Sequence, residues 1–126
     1  MKRIALTMAG MLVLLVGCGS AGGSDYPVRI SHARALELMA DEDVVIVDVR
    51  TAAEFAGGHI DGALLLPADE IDTRAGEVLP DTGRVVLVYC QSGNRSRNAS
   101  LKLVSLGYSR VYDFGGIAGW PGSIVR

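Results

Sequence analysis

The sequence predicts an α/β fold in which helices cover both faces of a parallel β-sheet. Short runs of branched apolar residues alternate with helical patterns along the chain, at the spacing of strand–helix–strand units. The chain has 126 residues, 49% of them apolar, which is enough for one packed core and too little for two ordinary domains. Acidic residues exceed basic ones by 14 to 12, which is not the balance of a nucleic-acid binder. We therefore expect one domain and no nucleic-acid partner.

The start of the chain carries export signals rather than part of this domain. Two basic residues precede a largely apolar run at 4–16, which is shorter than the roughly 20 residues of a membrane-spanning helix. The tetrad Leu-Val-Gly-Cys at 15–18 resembles the lipobox of bacterial lipoproteins, in which the cysteine is lipidated and becomes the first residue after cleavage. We predict a signal peptide at 1–17, lipidation of Cys18, and anchoring to a membrane at its periplasmic or other extracytoplasmic face. An ordinary cleaved signal peptide and an uncleaved anchor are the alternatives.

The folded domain is placed at residues 26–126, after a glycine- and serine-rich linker at 18–25. Cleavage after residue 17 leaves ten basic and fourteen acidic side chains, a net charge of −4. Two cysteines cannot build a disulfide-rich scaffold, and with two histidines they do not supply a zinc site at finger-like spacing. Any chemistry must therefore come from one or two thiols.

The domain begins with a short strand and an amphipathic helix. Residues 26–30 favour the strand, and Ser31 can cap the helix that follows it. We place the buried face of this helix on Ala33, Leu36 and Ala40. The acidic residues that follow end the helix.

Two further strands are predicted in the first half of the domain. Residues 44–47 are four consecutive β-branched residues, a pattern typical of a strand that is buried on both faces. A loop or short helix then runs to residue 58, and residues 63–66 give a second buried strand that Pro67 closes. Residues 69–79 can form a modest helix.

The second half places a cysteine at the end of a buried strand. Residues 85–89 predict that strand, and Cys90 follows it directly. The chain then enters a helix that Gly107 stops, and residues 110–114 give a last short strand. We expect three apolar residues on the buried face of this helix: Ala99, Leu103 and Leu106.

Cys90 has the setting of a nucleophile. Ligands of open parallel sheets gather at the carboxyl ends of the strands, and Cys90 lies at such an end, immediately before a helix. Backbone N–H groups at a helix N-terminus attract anions, and Arg95 and Arg97 add two positive charges. Such surroundings lower the pKa of a thiol and favour the reactive thiolate. The alternatives are a buried inert thiol and a solvated helix face carrying the arginines.

The distribution of charge favours a small anionic substrate. Residues 82–112 hold five basic side chains and no acidic one, whereas residues 25–81 hold four basic and thirteen acidic ones. A basic segment around Cys90 within a net-acidic domain would attract a small anion without binding polyanions in general.

Three motifs resemble those of rhodanese-like domains and follow in the same order. The first is Asp-Val-Arg at 48–50, followed by Glu-Phe at 54–55, Gly-His-Ile-Asp-Gly-Ala at 58–63 and Pro67. The second, Cys-Gln-Ser-Gly-Asn-Arg-Ser at 90–96, looks like the active-site loop of that family. The third is Gly-Gly-Ile at 115–117 with Trp120. The resemblance spans roughly residues 26–120.

The resemblance implies a five-stranded parallel sheet and a sulfurtransferase that uses thiosulfate or a related anionic sulfur donor. In that family the loop cysteine takes the outer sulfur as a persulfide and passes it to cyanide or a thiol, so Cys90 is the implied catalytic residue. Arg95 is expected to orient the donor, with Arg97 as a weaker second candidate. No metal or organic cofactor is implied. The implied substrate-binding residues are the loop that follows the cysteine: Gln91, Ser92, Gly93, Asn94, Arg95 and Ser96.

The remaining motif residues are expected to be structural. We expect Asp48, Arg50, Glu54 and His59 to tie loops together by hydrogen bonds and ion pairs, Trp120 to pack, and His32 to lie on the surface. The sequence departs from the family pattern at Leu65, where Asn is usual, and in the six residues after Trp120, a short tail that predicts a weakly held closing edge.

Two other functions are weighed against a sulfurtransferase. One is a persulfide-carrying or anion-binding module that serves a partner protein without turnover. The other is a thiol phosphatase or arsenate reductase, whose loop has five residues between the cysteine and the arginine. Here only four separate Cys90 from Arg95, and Tyr89 stands where phosphatases typically carry histidine, so a sulfur substrate is favoured.

Overall fold

The computed structural model describes residues 25–41 and 43–126. The predicted signal peptide at 1–17, Cys18 and all but the last residue of the linker lie outside the described residues. None of the helices in the described part is long and apolar enough to cross a membrane. The strands are β1 (Val28–Arg29), β2 (Val44–Asp48), β3 (His59–Ile60), β4 (Leu64–Leu65), β5 (Val85–Cys90), β6 (Arg110–Gly116) and β7 (Ile124–Val125). The helices are α1 (His32–Asp41), α2 (Ala52–Ala56), α3 (Ile71–Val78), which follows a 3-10 turn at Ala68–Glu70, and α4 (Asn94–Ser105).

Five strands form one parallel sheet in the order β1-β6-β5-β2-β4, which confirms the predicted fold class. The central strand β5 pairs with β2 from Val44–Val85 to Asp48–Tyr89 and with β6 on its other side. All six residues of β5 are buried, because a central parallel strand is covered on both faces. The carboxyl ends of β2, β5 and β6 therefore meet at one edge.

The sheet separates two hydrophobic cores. Successive side chains of a strand point to opposite faces, so Val86, Val88 and Cys90 face one core and Val85, Leu87 and Tyr89 face the other. Helices α3 and α4 cover the first face, and α1 and α2 cover the second. The helix-packing residues of the two cores are Ala75, Ala99 and Leu103 on the first face and Ala35, Leu38 and Phe55 on the second.

Three sequence-based assignments of buried faces are wrong. Helix α1 buries Ala35 and Leu38 and exposes the predicted set of Ala33, Leu36 and Ala40, because apolar residues stand at helical spacing on both sides of this helix. Leu106 is 44% exposed, since α4 ends one residue before it. Leu64 is 42% exposed, because β4 is an edge strand that pairs with β2 alone in the described sheet.

The closing edge of the domain is held by a second, two-stranded sheet that the sequence did not predict. Strand β7 lies in the short tail after Trp120 and pairs antiparallel with β3, His59 opposite Val125 and Ile60 opposite Ile124. The Asp61 amide also donates to the Ser123 carbonyl at 3.1 Å. The tail is therefore tied to the segment after α2, although it is short.

Candidate functional site

Cys90 is the last residue of β5 and has no exposed surface. The chain turns directly from it into α4, and Gly93 makes this turn with a φ of +104°, a conformation that suits glycine. The turn directs the Gly93 amide at the cysteine, and its N–H donates to Cys90 Sγ at 3.0 Å. The thiol therefore sits at the amino end of a twelve-residue helix, where backbone N–H groups stabilise negative charge.

These contacts make the Cys90 thiol more acidic than usual. Burial alone would raise the pKa of the thiol, because a thiolate loses its hydration there. The amide and hydroxyl of Ser96 and the amides of Gly93 and Ser92 favour the thiolate and together hold the pKa below its ordinary value. The thiolate is the nucleophilic form of cysteine, so the site can perform nucleophilic chemistry.

The third motif, at the end of β6, contacts the backbone of the Cys90 loop directly. The Ile117 amide donates to the Cys90 carbonyl at 2.9 Å. A β-carbon on Gly116 would overlap the Gln91 carbonyl oxygen and would lie 2.9 Å from the Ser92 α-carbon. Glycine at 116 therefore lets the end of β6 approach the backbone of the loop, which a larger residue would prevent.

A buried ion pair connects the end of β2 to the loop, as expected for Asp48 and Arg50. Asp48 is fully buried and Arg50 is 4% exposed, and Arg50 Nη2 lies 2.8 Å from Asp48 Oδ2. Arg50 also donates to the Gly58 carbonyl at 2.7 Å and to Gln91 Oε1 at 3.3 Å. The same guanidinium thus fixes the loop after α2 and the first residue after Cys90.

Arg95 is paired with Glu54 rather than free. Its two Nη atoms lie 2.7 and 3.0 Å from the two carboxylate oxygens of Glu54, a bidentate pair. The hydrogen bonds from Arg95 lower the pKa of Glu54 to about 2 despite an opposing effect of burial. Arg95 is 41% exposed, so it faces solvent beside the loop while Glu54 fixes its direction. The expectation that Glu54 ties loops together is confirmed.

Two recesses border the loop. One, of about 300 Å³, is lined by Gln91 and Ser92 together with His32 and the glycines of the third motif. The other, of about 200 Å³, is lined by Arg50, Pro67 and Arg95 among others. Arg97 lies elsewhere, in a groove of about 420 Å³ that it lines with Pro27, Arg29, Leu101 and Asp113. The structure therefore places Arg95 at a recess that it shares with Arg50 and places Arg97 in another groove.

His59 forms the expected hydrogen bond and Trp120 packs as expected, whereas the expectation that His32 lies on the surface is wrong. His59 stacks on Phe55 at 3.6 Å, and its Nδ1 donates to the Phe55 carbonyl. Trp120 packs at 5.2 Å from the Phe114 ring. His32 is half-buried rather than on the surface, because its Nε2 donates to the Gly116 carbonyl at 2.9 Å.

Sequence reasoning missed Asp113. This carboxylate is 4% exposed in β6, accepts hydrogen bonds from Ser96 Oγ at 2.8 Å and from the Gly115 amide at 2.9 Å, and pairs with Arg29. The available signal was a single charge within the otherwise apolar and aromatic stretch 111–114, since a charge inside a strand is seldom buried without a partner.

Glu54→Gln is expected to lose stability in a pH-dependent way. The folded-state pKa of Glu54, about 2, lies below its ordinary value of 4.5, so the pair contributes fully above about pH 4.5 and loses that contribution as the pH falls toward 2. Because both side chains are partly exposed, we expect a loss of at most about 1 kcal/mol at pH 7. Urea unfolding between pH 7 and pH 3 measures it, with Glu77→Gln in an exposed pair as the control. A difference that stays constant down to pH 3 would contradict this account.

Comparison with known proteins agrees with this arrangement. The sequence matches the family model of the rhodanese-like domain over residues 31–122. A sulfurtransferase from Allochromatium vinosum is 44% identical over 91 residues, which make up 71% of this chain and 83% of that protein. Thiosulfate sulfurtransferase GlpE from Pseudomonas putida is 42% identical over 89 residues, 70% of this chain and 78% of that protein. A solved structure described as a rhodanese with anions from E. coli matches with a TM-score of 0.62 and 30% identity, over 66% of this chain and 98% of that one. The chain belongs to the rhodanese-like domain family and is a rhodanese-like sulfurtransferase.

Proposed function

We propose that this sulfurtransferase moves the outer sulfur of thiosulfate, or of a related anionic donor, through a persulfide on Cys90 to a thiol or to cyanide. The observation that carries the proposal is the Cys90 thiol itself, which is enclosed at the start of α4 with the Gly93 N–H on its sulfur and a lowered pKa. Relatives named thiosulfate sulfurtransferase support the choice of donor.

The reaction needs two displacements at sulfur. In the first, the Cys90 thiolate attacks the outer sulfur of thiosulfate, a new S–S bond forms, and the old S–S bond breaks so that sulfite leaves with the electron pair. In the second, the acceptor thiolate or cyanide attacks the outer sulfur of the persulfide, and the Cys90 thiolate leaves. No net oxidation of the protein occurs over the cycle.

The loop supplies electrostatic stabilisation in both steps. The amides of Ser92, Gly93 and Ser96 favour the thiolate at the start and the end of the cycle, and they can favour a persulfide anion in between. These groups are fixed before the substrate arrives, because Ile117 holds the Cys90 carbonyl and Arg50 holds Gln91. Little reorganisation is therefore needed when charge moves between sulfur atoms.

Intact-mass measurement of residues 25–126 after treatment with thiosulfate tests the proposal. We expect a gain of one sulfur atom, and its loss after cyanide is added together with formation of thiocyanate. Cys90 is the only cysteine of this segment, so the modified residue is unambiguous. An unchanged mass, under conditions that load another thiosulfate sulfurtransferase, would refute the proposal. A persulfide that forms but is not removed by cyanide or small thiols would instead indicate the persulfide-carrying module.

Arg95→Ala is expected to weaken the use of thiosulfate about ten- to a hundredfold in kcat/KM, the size of a lost hydrogen bond to a charged group. Arg95 belongs to the loop and is 41% exposed, and Glu54 takes only two of the five N–H groups of its guanidinium, so Arg95 can still donate to an anionic donor. Transfer out of a preformed persulfide to cyanide should change much less, because the donor has left. Arg97→Ala is the matched control and should cost less, since Arg97 lines another groove. Equal losses in the two variants would remove the role assigned to Arg95.

We also propose that the chain is exported and anchored by a lipid on Cys18. The support is the sequence alone: the apolar run at 4–16, the Leu-Val-Gly-Cys tetrad at 15–18 and the short linker after it. Lipidation would cap the Cys18 sulfur as a thioether, which leaves Cys90 without a second cysteine for a disulfide in an oxidising compartment.

Cys18→Ser is expected to abolish lipid labelling and to leave uncleaved precursor held in the membrane by its signal sequence. Labelling with a radioactive or clickable fatty acid, followed by electrophoresis, measures both effects, and Cys90→Ser is the matched control that should still be labelled. Wild-type protein that is soluble outside the cytoplasm, cleaved elsewhere and linked by a Cys18–Cys90 disulfide would contradict the anchor.

A further inference from the structure

The side of the loop that faces β1 and β6 is built on one buried carboxylate. Asp113 Oδ1 accepts from Ser96 Oγ at 2.8 Å and from the Gly115 amide at 2.9 Å, and Asp113 Oδ2 lies 2.9 Å from Arg29 Nη1. Asp113 is 4% exposed, so its charge is poorly screened by water. Arg29 is the only cation in contact with it among the described residues.

Arg29 also contacts the backbone of the loop. A β-carbon on Gly93 would lie 2.6 Å from Arg29 Nη2, and one on Gly115 would lie 2.9 Å from the same atom. The guanidinium thus occupies the space that these two glycines leave open, although 55% of its side chain is exposed. Gly93 is the residue whose amide donates to Cys90 Sγ, so Arg29 lies behind a donor that favours the thiolate.

Ser96 connects the carboxylate to the thiol. Its hydroxyl carries one proton, and the nearest of its hydrogen-bonded acceptors is the Asp113 carboxylate. The amide and hydroxyl of Ser96 also favour ionisation of Cys90. A carboxylate without a cation at this point would repel a thiolate more strongly, because like charges disfavour each other's ionisation.

We propose that Arg29 and Asp113 are positioning residues for the Cys90 loop, in which the ion pair fixes Ser96 and Gly93 and cancels the carboxylate charge so that the buried thiol can ionise. This inference rests on the proposed role of Cys90 as sulfur carrier. Neither residue touches the sulfur, and neither belongs to the motif residues at 48–63, 90–96 or 115–120.

Several other charged and polar groups around the loop have partners of their own, and Arg97 lines the same groove as Arg29 and Asp113. Among the described residues, Asp48 pairs with Arg50, Glu54 pairs with Arg95, His32 donates to the Gly116 carbonyl, and the Tyr89 hydroxyl accepts from the Ile60 amide. Arg29 is thus the cation in direct contact with the Asp113 carboxylate, and Arg97 is a further cation in the same groove. Because Arg29 and Asp113 carry opposite charges, their removal should shift the pKa of Cys90 in opposite directions.

The test is the pH dependence of alkylation of Cys90 by iodoacetamide in the full chain, followed on the tryptic peptide 85–95, which contains Cys90 and not Cys18. We expect Arg29→Ala to raise the apparent pKa of the thiol by about half a unit to one unit, which slows alkylation below that pKa about three- to tenfold. Asp113→Asn keeps the shape and removes the negative charge, so it should lower the apparent pKa. The double variant should return close to the wild-type value.

Two control variants distinguish the effect of the Arg29 charge from a general loss of structure. Arg29→Lys keeps the positive charge and should stay near wild type, and Arg34→Ala removes the same charge from an exposed pair on α1 and should have little effect. If Arg29→Ala does not fold, the opposite shift in Asp113→Asn and the rescue by lysine still decide the question.

Shifts of Arg29→Ala and Asp113→Asn in the same direction, or no shift in either, would overturn the inference, because a merely structural role moves both variants alike. The alkylation rate requires no sulfur donor. A failure of persulfide formation with these shifts intact would therefore count against the proposed function alone, and normal persulfide formation without the shifts would count against this inference alone.

Discussion

Cys90→Ser is expected to abolish sulfur transfer, with a loss of at least about a thousandfold in kcat with thiosulfate and cyanide. A serine hydroxyl stays protonated at neutral pH and forms no stable bond to a sulfane sulfur, so the first displacement has no nucleophile. Residues 25–126 contain no second cysteine that could take its place. Thiocyanate formation under saturating thiosulfate measures the effect.

The same variant should keep its fold. Serine is only slightly smaller than cysteine. Its oxygen can accept the hydrogen bond that the Gly93 amide donates to sulfur in the wild type. We expect the melting temperature to change by only a few degrees, with Ser105→Ala at the exposed end of α4 as the control for activity and stability. A serine variant whose mass still gains a sulfur atom, or that forms thiocyanate near the wild-type rate, would show that another group carries the sulfur.

The sequence was sufficient where the information is local. The β-branched run of β2 and the apolar run of β5 predict buried central strands. The segment from Cys90 to Arg95 specifies a turn into a helix, with a glycine where a positive φ is required. Cys90 therefore had to lie at the carboxyl edge of a parallel sheet, where sites of such folds are found.

The parts that the sequence did not predict depend on contacts between distant segments. Arg29 pairs with Asp113 and His32 bonds to Gly116 across 84 residues in each case, and nothing in the spacing of either residue identifies its partner. Strands β3 and β7 have two residues each, too few to show a period. The buried face of α1 was ambiguous, because a helical repeat of apolar residues can be drawn through Ala33 or through Ala35.

The segment around Leu65 is held to the neighbouring strand although the usual asparagine is absent. The segment that follows β4 is held by main-chain bonds, from the Leu66 amide to the Asp48 carbonyl at 2.9 Å and from the Ala68 amide to the Val49 carbonyl at 3.0 Å. These bonds do not depend on the side chain at position 65. The end of β4 is therefore tied to the end of β2, next to the loop, without an asparagine.

Gly116→Ala is expected to damage the site more than its small change in size suggests. The added β-carbon would overlap the Gln91 carbonyl oxygen and lie 2.7 Å from the Gln91 carbonyl carbon, and both are backbone atoms that no rotamer change can move. Either the end of β6 or the loop must shift, which strains the bond from the Ile117 amide to the Cys90 carbonyl. We expect a loss of about 1–3 kcal/mol in the free energy of unfolding, typical of overpacking.

We expect Gly116→Ala to lower the reactivity of Cys90 in addition to the stability of the protein. The reason is that the amides that favour the Cys90 thiolate lie on the part of the chain that must move. The matched control is Gly76→Ala on α3, where a β-carbon would meet nothing within 4 Å and a helical alanine is favoured over glycine. Urea unfolding and the alkylation rate of Cys90 at neutral pH measure the two effects. We expect the control to be at least as stable as wild type and the Gly116 variant to be alkylated more slowly, because a displaced loop no longer holds the pKa of the thiol down. A Gly116→Ala protein with unchanged stability and an unchanged alkylation rate would mean that the close approach of β6 to the loop is not what shapes the site.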